Sequence, residues 1–387
     1  MKSFQHVAPP FRLFSGPDSL GALDRELGRR GCGRAVIVCG GTLSRSPLLE
    51  LVRGAARDRI AGVFAGVRPH SPLPAVLEAV AALRERRADA AIAIGGGSAV
   101  VTARAATILL AEDRPVEELA TRIDAAGRMI SPRLVAPKIP NLIVPTTPTT
   151  AAVKAGTAVL DPEHKVRRAL FDPKTRAQAL FVHPDLLLST PASLAISASL
   201  DTLCLAVEGL MSRISDPLAD APLIHAVRLL RQTLAEPALE TDPEVRARLM
   251  VAAILAGQGT DFTGAGVATV LGHAIGATHE AENGVAKSIV LPAAIRFNAE
   301  AAGEGLAKVA TALGLPAATP DVAGACIASL EGLAARIGTP RRLRDLGIAR
   351  ASLPDIAARG MGDWFLRGNA RPVTDAAVLE RMLAESW

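Results

Sequence analysis

The stretch "AAIAIGGGSAVVTARAA" (residues 90–106) constrains the chain more than any other. A short apolar run ends in three glycines and passes directly into a helix-forming segment. An apolar run without alternation reads as a strand buried on both faces, which means a parallel sheet covered by helices. "RAVIVCGG" (34–41) repeats the pattern, and "NLIVPTTPTT" (141–150) reads as a further strand running into a polar turn. Between the first two lies a helical stretch, "PAVLEAVAALRERR". This alternation predicts an open, doubly wound sheet. From "SLAISASLDTLCLAVEGLMSRI" (193–214) onward helix follows helix, with few strand signals. The prolines of "HPDLLLSTP" (183–191) mark the change. The expected fold is α/β: an N-terminal Rossmann-like doubly wound sheet domain, 1–187, plus a C-terminal all-helical domain, 188–387. A length of 387 residues also suits two cores better than one.

Composition narrows the function. Hydrophobic residues at 49% and charged residues at 21% fit a globular protein rather than a disordered one. The sequence shows no unbroken apolar run of about 18 residues, so no membrane span is expected. The N-terminus, "MKSFQHVAPPFRLFSG", lacks an apolar signal core, and a cytoplasmic protein is expected. Cys32, Cys39, Cys204 and Cys326 lie far apart, which argues against zinc knuckles and a disulfide framework. The net charge of +5 comes from scattered arginines, and with 3% aromatics and no tyrosine a nucleic-acid partner is not expected. Seven lysines stand against 36 arginines, so each lysine draws notice.

The glycines of the opening stretch are the strongest chemical signal. Gly95, Gly96 and Gly97 let backbone N–H groups approach a phosphate at a helix N-terminus, and Ser98 is placed to cap that helix and donate to the same anion. The alternative is a tight turn without a ligand. Gly40, Gly41 and Thr42 form a second glycine turn after an earlier strand, and two such turns at one sheet edge suit a dinucleotide. A third stretch, "GHAIGATHEAENGVAKSIVLP" (272–292), sets His273, His279, Glu280, Glu282 and Lys287 close together. It reads as a glycine-punctuated loop entering a strand-like segment that ends at Pro292.

The order strand–GGGS–helix, "VPTT", "HPDLLLSTP", "SLDTLCLAVEGL", "GHAIG…NGVAKSIVLP" and "NARPVT" (369–374) resembles the iron-containing alcohol dehydrogenase family, including its maleylacetate reductase branch. The resemblance runs from about residue 10 to 387, and its specificity lies in the order of the motifs. It implies a dinucleotide domain, a helical domain and a cleft between them, which in most members holds one divalent metal on one Asp and three His. Carried over position by position, Asp201 matches the aspartate, Leu205 stands where the first histidine belongs, His273 matches the next ligand, and Asn283 replaces the last. Leucine cannot ligate and asparagine is a poor soft-metal ligand, so these four positions are vestigial and no metal is expected. A site rebuilt from Asp201, His273 and His279 is the alternative. The resemblance also exposes Val101 and Arg104 where the family has Asp and Lys, and Ala152 and Val153 where it has Ser and Glu. Thr146, Thr147 and Thr149 retain the threonine turn expected to help bind the coenzyme. Gly40 stands where NAD-preferring members carry an acid, and Arg45 lies near enough in sequence to pair with a 2′-phosphate. The expected coenzyme is NADP or NAD, with NADP favoured.

Hydride transfer without a metal needs a protonated side chain to stabilise the developing alkoxide. His273 is the first candidate, with Asp201 as the carboxylate that orients it and keeps it charged; Lys287 and Lys154 are the second candidates. Each also has a plainer reading, as a buried structural Asp–His pair or as solvated lysines. Leu205, Val207, Phe262 and Val267 are expected on the wall of the substrate pocket. Two functions remain open: a metal-independent NAD(P)H-dependent reductase of a small carbonyl compound, or a lyase, cyclase, isomerase or binding protein on the same fold. A small-molecule substrate and a homodimer are expected for the first.

Overall fold

The computed structural model describes residues 4–124, 129–164 and 166–387. The chain divides into two compact units, Pro9–Thr190 and Pro191–Trp387, with residues through Ala8 joining the second. The N-terminal segment therefore groups with the helices. His6 ties it there, with Nδ1 3.1 Å from Asp216 Oδ2 and its ring 5.0 Å from that of Phe262.

In the first unit the strands are β1 Arg12–Ser15, β2 Ala35–Gly40, β3 Ile60–Val67, β4 Ala90–Gly95, β5 Arg122–Ile123, β6 Met129–Ile130, β7 Asn141–Pro145, β8 Gly156–Asp161, β9 Val166–Phe171 and β10 Ala177–Val182. The helices are α1 Leu23–Arg29, α2 Gly41–Ser44, α3 Pro47–Ala56, α4 Leu73–Glu85, α5 Gly97–Glu112, α6 Val116–Leu119 and α7 Pro184–Leu188. Six strands form one parallel sheet in the order β1-β10-β7-β4-β2-β3; β5 pairs with β6, and β8 with β9, as antiparallel ribbons. Successive strand residues feed opposite faces. Ile37, Cys39, Ile92, Ile94, Leu142 and Val144 pack with α1 and α3, whereas Val36 and Ala91 pack with α4 and α5. Both faces are covered, which is why the strands read as unbroken apolar runs.

The second unit is helical among its described residues: α8 Ala192–Leu210, α9 Pro217–Thr233, α10 Pro243–Thr263, α11 Val267–Thr278, α12 Asn283–Asn298, α13 Gly303–Ala312, α14 Val322–Ile337, α15 Leu353–Gly360 and α16 Ala376–Ser386. Helix α8 packs against α9, α10, α11 and α12. By length and composition it could cross a membrane, but 72% of it is buried inside the unit, the mark of a core helix.

The segment 272–292 differs from its sequence reading: it is helix α11 leading through a short turn into helix α12. A buried apolar helix and a buried strand look alike over a short run. Its glycines are packing cut-outs. A Cβ on Gly284 would collide with the Ser197 carbonyl of α8, and one on Gly276 with the Asn283 amide. The far end of the chain is pinned to the same helices. Asn369 and Asn298 exchange side-chain hydrogen bonds at 2.8 and 3.1 Å, and the Val267 N–H donates to Asn369 Oδ1 at 3.1 Å.

Candidate active site

In the sheet unit, β2 and β4 lie side by side. The chain leaves β2 for β3 on one side, while β4 continues toward β7 on the other. This is a topological switch point, where α/β sheets of this kind bind ligands outside the carboxyl ends of the strands. Gly40 closes β2, and Gly41 and Thr42 open α2; Gly95 closes β4, and Gly96 and Gly97 start α5. Gly95 has φ +144°, a conformation other residues rarely adopt. The threonine turn packs onto the glycine turn. The Thr146 N–H donates to the Gly95 carbonyl at 3.0 Å, and a Cβ on Gly96 would lie 2.7 Å from Thr147 Oγ1, one on Gly97 3.3 Å from Thr149 Oγ1. Thr146, Thr147 and Thr149 are buried.

Ser98 does not cap α5. Gly96 holds the N-cap position, with no side-chain cap bond, and Ser98 sits within the first turn, where its carbonyl accepts from Ser71 Oγ at 3.0 Å. The glycines let the helix begin two residues earlier than the hydroxyl suggests. Arg104, in the place of the family's lysine, is buried and donates to the Ala151 carbonyl at 2.8 Å and the Gly156 carbonyl at 3.1 Å. It braces the turn beyond the threonines. The exposed Arg45 guanidinium lies beside Gly41, 3.3 Å from where a Cβ would stand.

In the helical unit Asp201, Lys287 and His273 come from α8, α12 and α11. Their pairing corrects the sequence reading. The Asp201 Oδ1 lies 2.6 Å from Lys287 Nζ. The carboxylate on His273 is Asp363, with Oδ2 2.8 Å from Nδ1. Asp363 is the N-cap of the short turn Trp364–Gly368 and accepts from the Phe365 N–H at 2.9 Å; the Phe365 ring stands 5.9 Å from the imidazole. Burial pushes the Asp363 carboxyl up, but the bond from His273, its charge, the Phe365 N–H and the Lys287 charge outweigh it. The carboxyl is held below the usual range. No sequence signal announced Asp363, which lies 90 positions from its partner.

The remaining candidates scatter. Lys154 belongs to the sheet unit, on the segment after the Thr150–Ala152 turn. His279 caps the C-terminus of α11 and bonds through Nδ1 to Thr278 Oγ1 at 2.8 Å. Val207 and Val267 are fully buried core residues and Leu205 is 5% exposed, so they hold the helices together rather than line a pocket. Phe262 packs on His6. Glu208, one turn beyond Leu205, caps α11: it accepts from the Ala268 N–H at 2.6 Å and Thr269 Oγ1 at 2.6 Å, while burial pushes its carboxyl up.

The four positions that the resemblance assigns to a metal are differently occupied, and of their polar atoms the Asn283 Oδ1 is buried without a hydrogen-bond partner. Lys287 takes the Asp201 oxygen, Asp363 takes a His273 nitrogen, Leu205 offers none, and the Asn283 Oδ1 is turned onto Gly276. Among the described residues no three His, Cys, Asp or Glu side chains gather to hold a metal ion. In the sheet unit three successive residues without side chains stand at a helix N-terminus, an arrangement that lets backbone N–H groups approach a phosphate, while added Cβ atoms would meet Ala99, Thr147 and Thr149.

Two family models match, iron-containing alcohol dehydrogenase over residues 10–184 and the C-terminal part of the Fe-containing alcohol dehydrogenase family over 195–386. Lactaldehyde reductase of Escherichia coli (strain K12) is 29% identical over 371 residues, covering 94% of this chain and 95% of the relative. An NAD-dependent methanol dehydrogenase of Bacillus methanolicus is 27% identical, covering 90% of this chain and 92% of the relative. A crystal structure of 1,3-propanediol oxidoreductase superposes with a TM-score of 0.91 over all of both chains at 24% identity, which speaks to fold.

Proposed function

Because the chain belongs to the iron-containing alcohol dehydrogenase family, and is an alcohol dehydrogenase- or reductase-like enzyme, we propose that it works without a bound metal. In this reading it interconverts a small carbonyl compound and its alcohol with a nicotinamide coenzyme. The observation that carries the reading is the pairing at the metal positions: Asp201 is engaged by Lys287 and His273 by Asp363.

Gly95–Gly97 and the threonine turn would hold the coenzyme pyrophosphate, with the adenosine end near Gly40–Thr42. A nicotinamide bound there supplies or accepts the hydride. His273 gives one proton to the carbonyl oxygen in reduction and regains it from solvent; in oxidation it takes that proton from the alcohol. Asp363 orients the imidazole and stabilises its charged form. At the adenosine end no carboxylate stands at Gly40, and Arg45 lies beside Gly41. This supports NADP binding at least as well as NAD.

The test is turnover of NADPH and NADH with a panel of short aldehydes and hydroxyaldehydes in the presence of chelator. Oxidation of either coenzyme, with NADPH no worse than NADH, is expected. No oxidation by a protein that binds the coenzyme would overturn the redox reading in favour of a non-redox reaction.

A further inference from the structure

Lys287, like the fully buried Lys138 beside Glu112 and Asp172, is a lysine held in a core against a carboxylate. It is one of seven lysines against 36 arginines, and its side chain is 3% exposed. Long charged side chains are rarely buried so fully unless paired, because leaving water is costly for an ion. Its partner, Asp201, is the aspartate that the family resemblance assigns to the metal. The neighbouring helix is cut to admit it: a Cβ on Gly272 of α11 would run into the Lys287 stem at Cγ, with Cε and Cδ 3.0 and 3.2 Å away. A glycine within a helix is disfavoured relative to alanine, and here its bare edge makes room for the lysine. The Lys287 charge is also felt at Asp363, the carboxylate that holds His273, and helps to keep it ionised.

We propose that Lys287 is this protein's tethered replacement for the divalent metal, its ammonium taking the cation's place on Asp201. The assignment rests on the metal-free reading above. It also supplies that reading with what the missing ligands leave unexplained, a source of positive charge. With Asp201 and Asp363 ionised, Lys287 neutralises one carboxylate and an imidazolium at His273 neutralises the other. The proton that His273 gives up neutralises the alkoxide on the substrate, while Lys287 keeps the Asp201 carboxylate balanced throughout. A second cation entering beside the ammonium would meet like-charge repulsion with no free carboxylate to offset it. Lys287 acts as a positioning residue: it fixes Asp201 and places a permanent charge near the His273–Asp363 pair, where negative charge grows on the substrate oxygen.

Two measurements test this. In the first, cobalt(II) is titrated into the Leu205→His/Asn283→His protein, with Lys287 present or changed to alanine, and read by visible absorption. Cobalt should bind only when Lys287 is gone. Equal binding in both proteins, or binding in neither while both melt cooperatively, overturns the substitution. The second covers the case in which the added histidines prevent folding. Lys287→Ala in the otherwise native chain should lower kcat by about 10²-fold with coenzyme affinity kept, and methylammonium, not tetramethylammonium, should restore part of it. An unchanged kcat, or a loss that no small ammonium ion restores, overturns the proposal. Stoichiometric iron or zinc in the native protein would sink the metal-free reading itself, and the cobalt comparison does not depend on that result.

Discussion

Deleting either half of the Asp201–Lys287 pair breaks the same 2.6 Å contact, yet the two deletions should differ in cost. The reason is exposure. Lys287 is 3% exposed and Asp201 29%. Asp201→Ala strands an ammonium in the helical core, and losing one partner of a buried pair costs about 3–5 kcal/mol. The nearby Asp363 carboxylate offsets part of this, so a value of about 3 kcal/mol is expected. Lys287→Met keeps the stem packed along Gly272 and strands a carboxylate that water can reach. Its cost should be about 1–1.5 kcal/mol, on the scale of one charged hydrogen bond. For a unit of this size each kcal/mol moves the midpoint by about 2–4 °C, giving shifts of roughly 6–12 °C and roughly 2–6 °C. Scanning calorimetry at neutral pH, following the transition of the helical unit, measures both. Equal shifts, or a larger one for Lys287→Met, would refute the argument from exposure and with it the view of Lys287 as the buried member.

Three further outcomes are expected. Gly96→Val should abolish coenzyme binding by calorimetric titration while the circular dichroism spectrum is kept, because a Cβ there would lie 2.7 Å from Thr147 Oγ1 and displace the threonine turn from the glycine turn; unchanged affinity would make the turn purely structural. His273→Ala should lower kcat by about 10²–10⁴-fold, and Asp363→Asn should fall by less and act through it; full activity in His273→Ala would remove the imidazole from the mechanism. Asp363 has a depressed carboxyl pKa in the folded chain, so its stabilisation is present above the unfolded value of about 3.9 and lost as pH falls through the folded one. Asp363→Asn should therefore flatten the acid limb of the stability–pH curve, and an unaltered limb would contradict the assignment.

The sheet unit was largely legible because its signals are local. A buried parallel strand, a glycine turn and a helix start are all written within ten or so residues, and β2, β4 and β7 lie where "RAVIVCGG", "AAIAIGGGS" and "NLIVPTTPTT" place them. Ser98 misled because a hydroxyl near a helix start is a capping signal, whereas the glycines let the helix begin two residues earlier. The helical site was legible in its members but not in its pairings. Asp201, His273 and Lys287 could each be singled out by type and position. Which carboxylate meets which base depends on how α8, α11 and α12 cross, and those crossings are set by Gly272, Gly276 and Gly284, which in sequence look like loop punctuation. Asp363 could not be found at all, since only the fold carries a turn near the C-terminus to α11.

The central claim is that the chain's own lysine, not a metal, supplies the fixed cation of the site. The most direct measurement takes one sample of native protein, dialysed exhaustively against chelator, and determines its metal content and its NAD(P)H-dependent turnover together. The account predicts metal far below one equivalent with turnover undiminished by chelation and unimproved by added zinc or iron(II). A stoichiometric metal that survives dialysis, or activity lost on chelation and regained with a divalent ion, would contradict it.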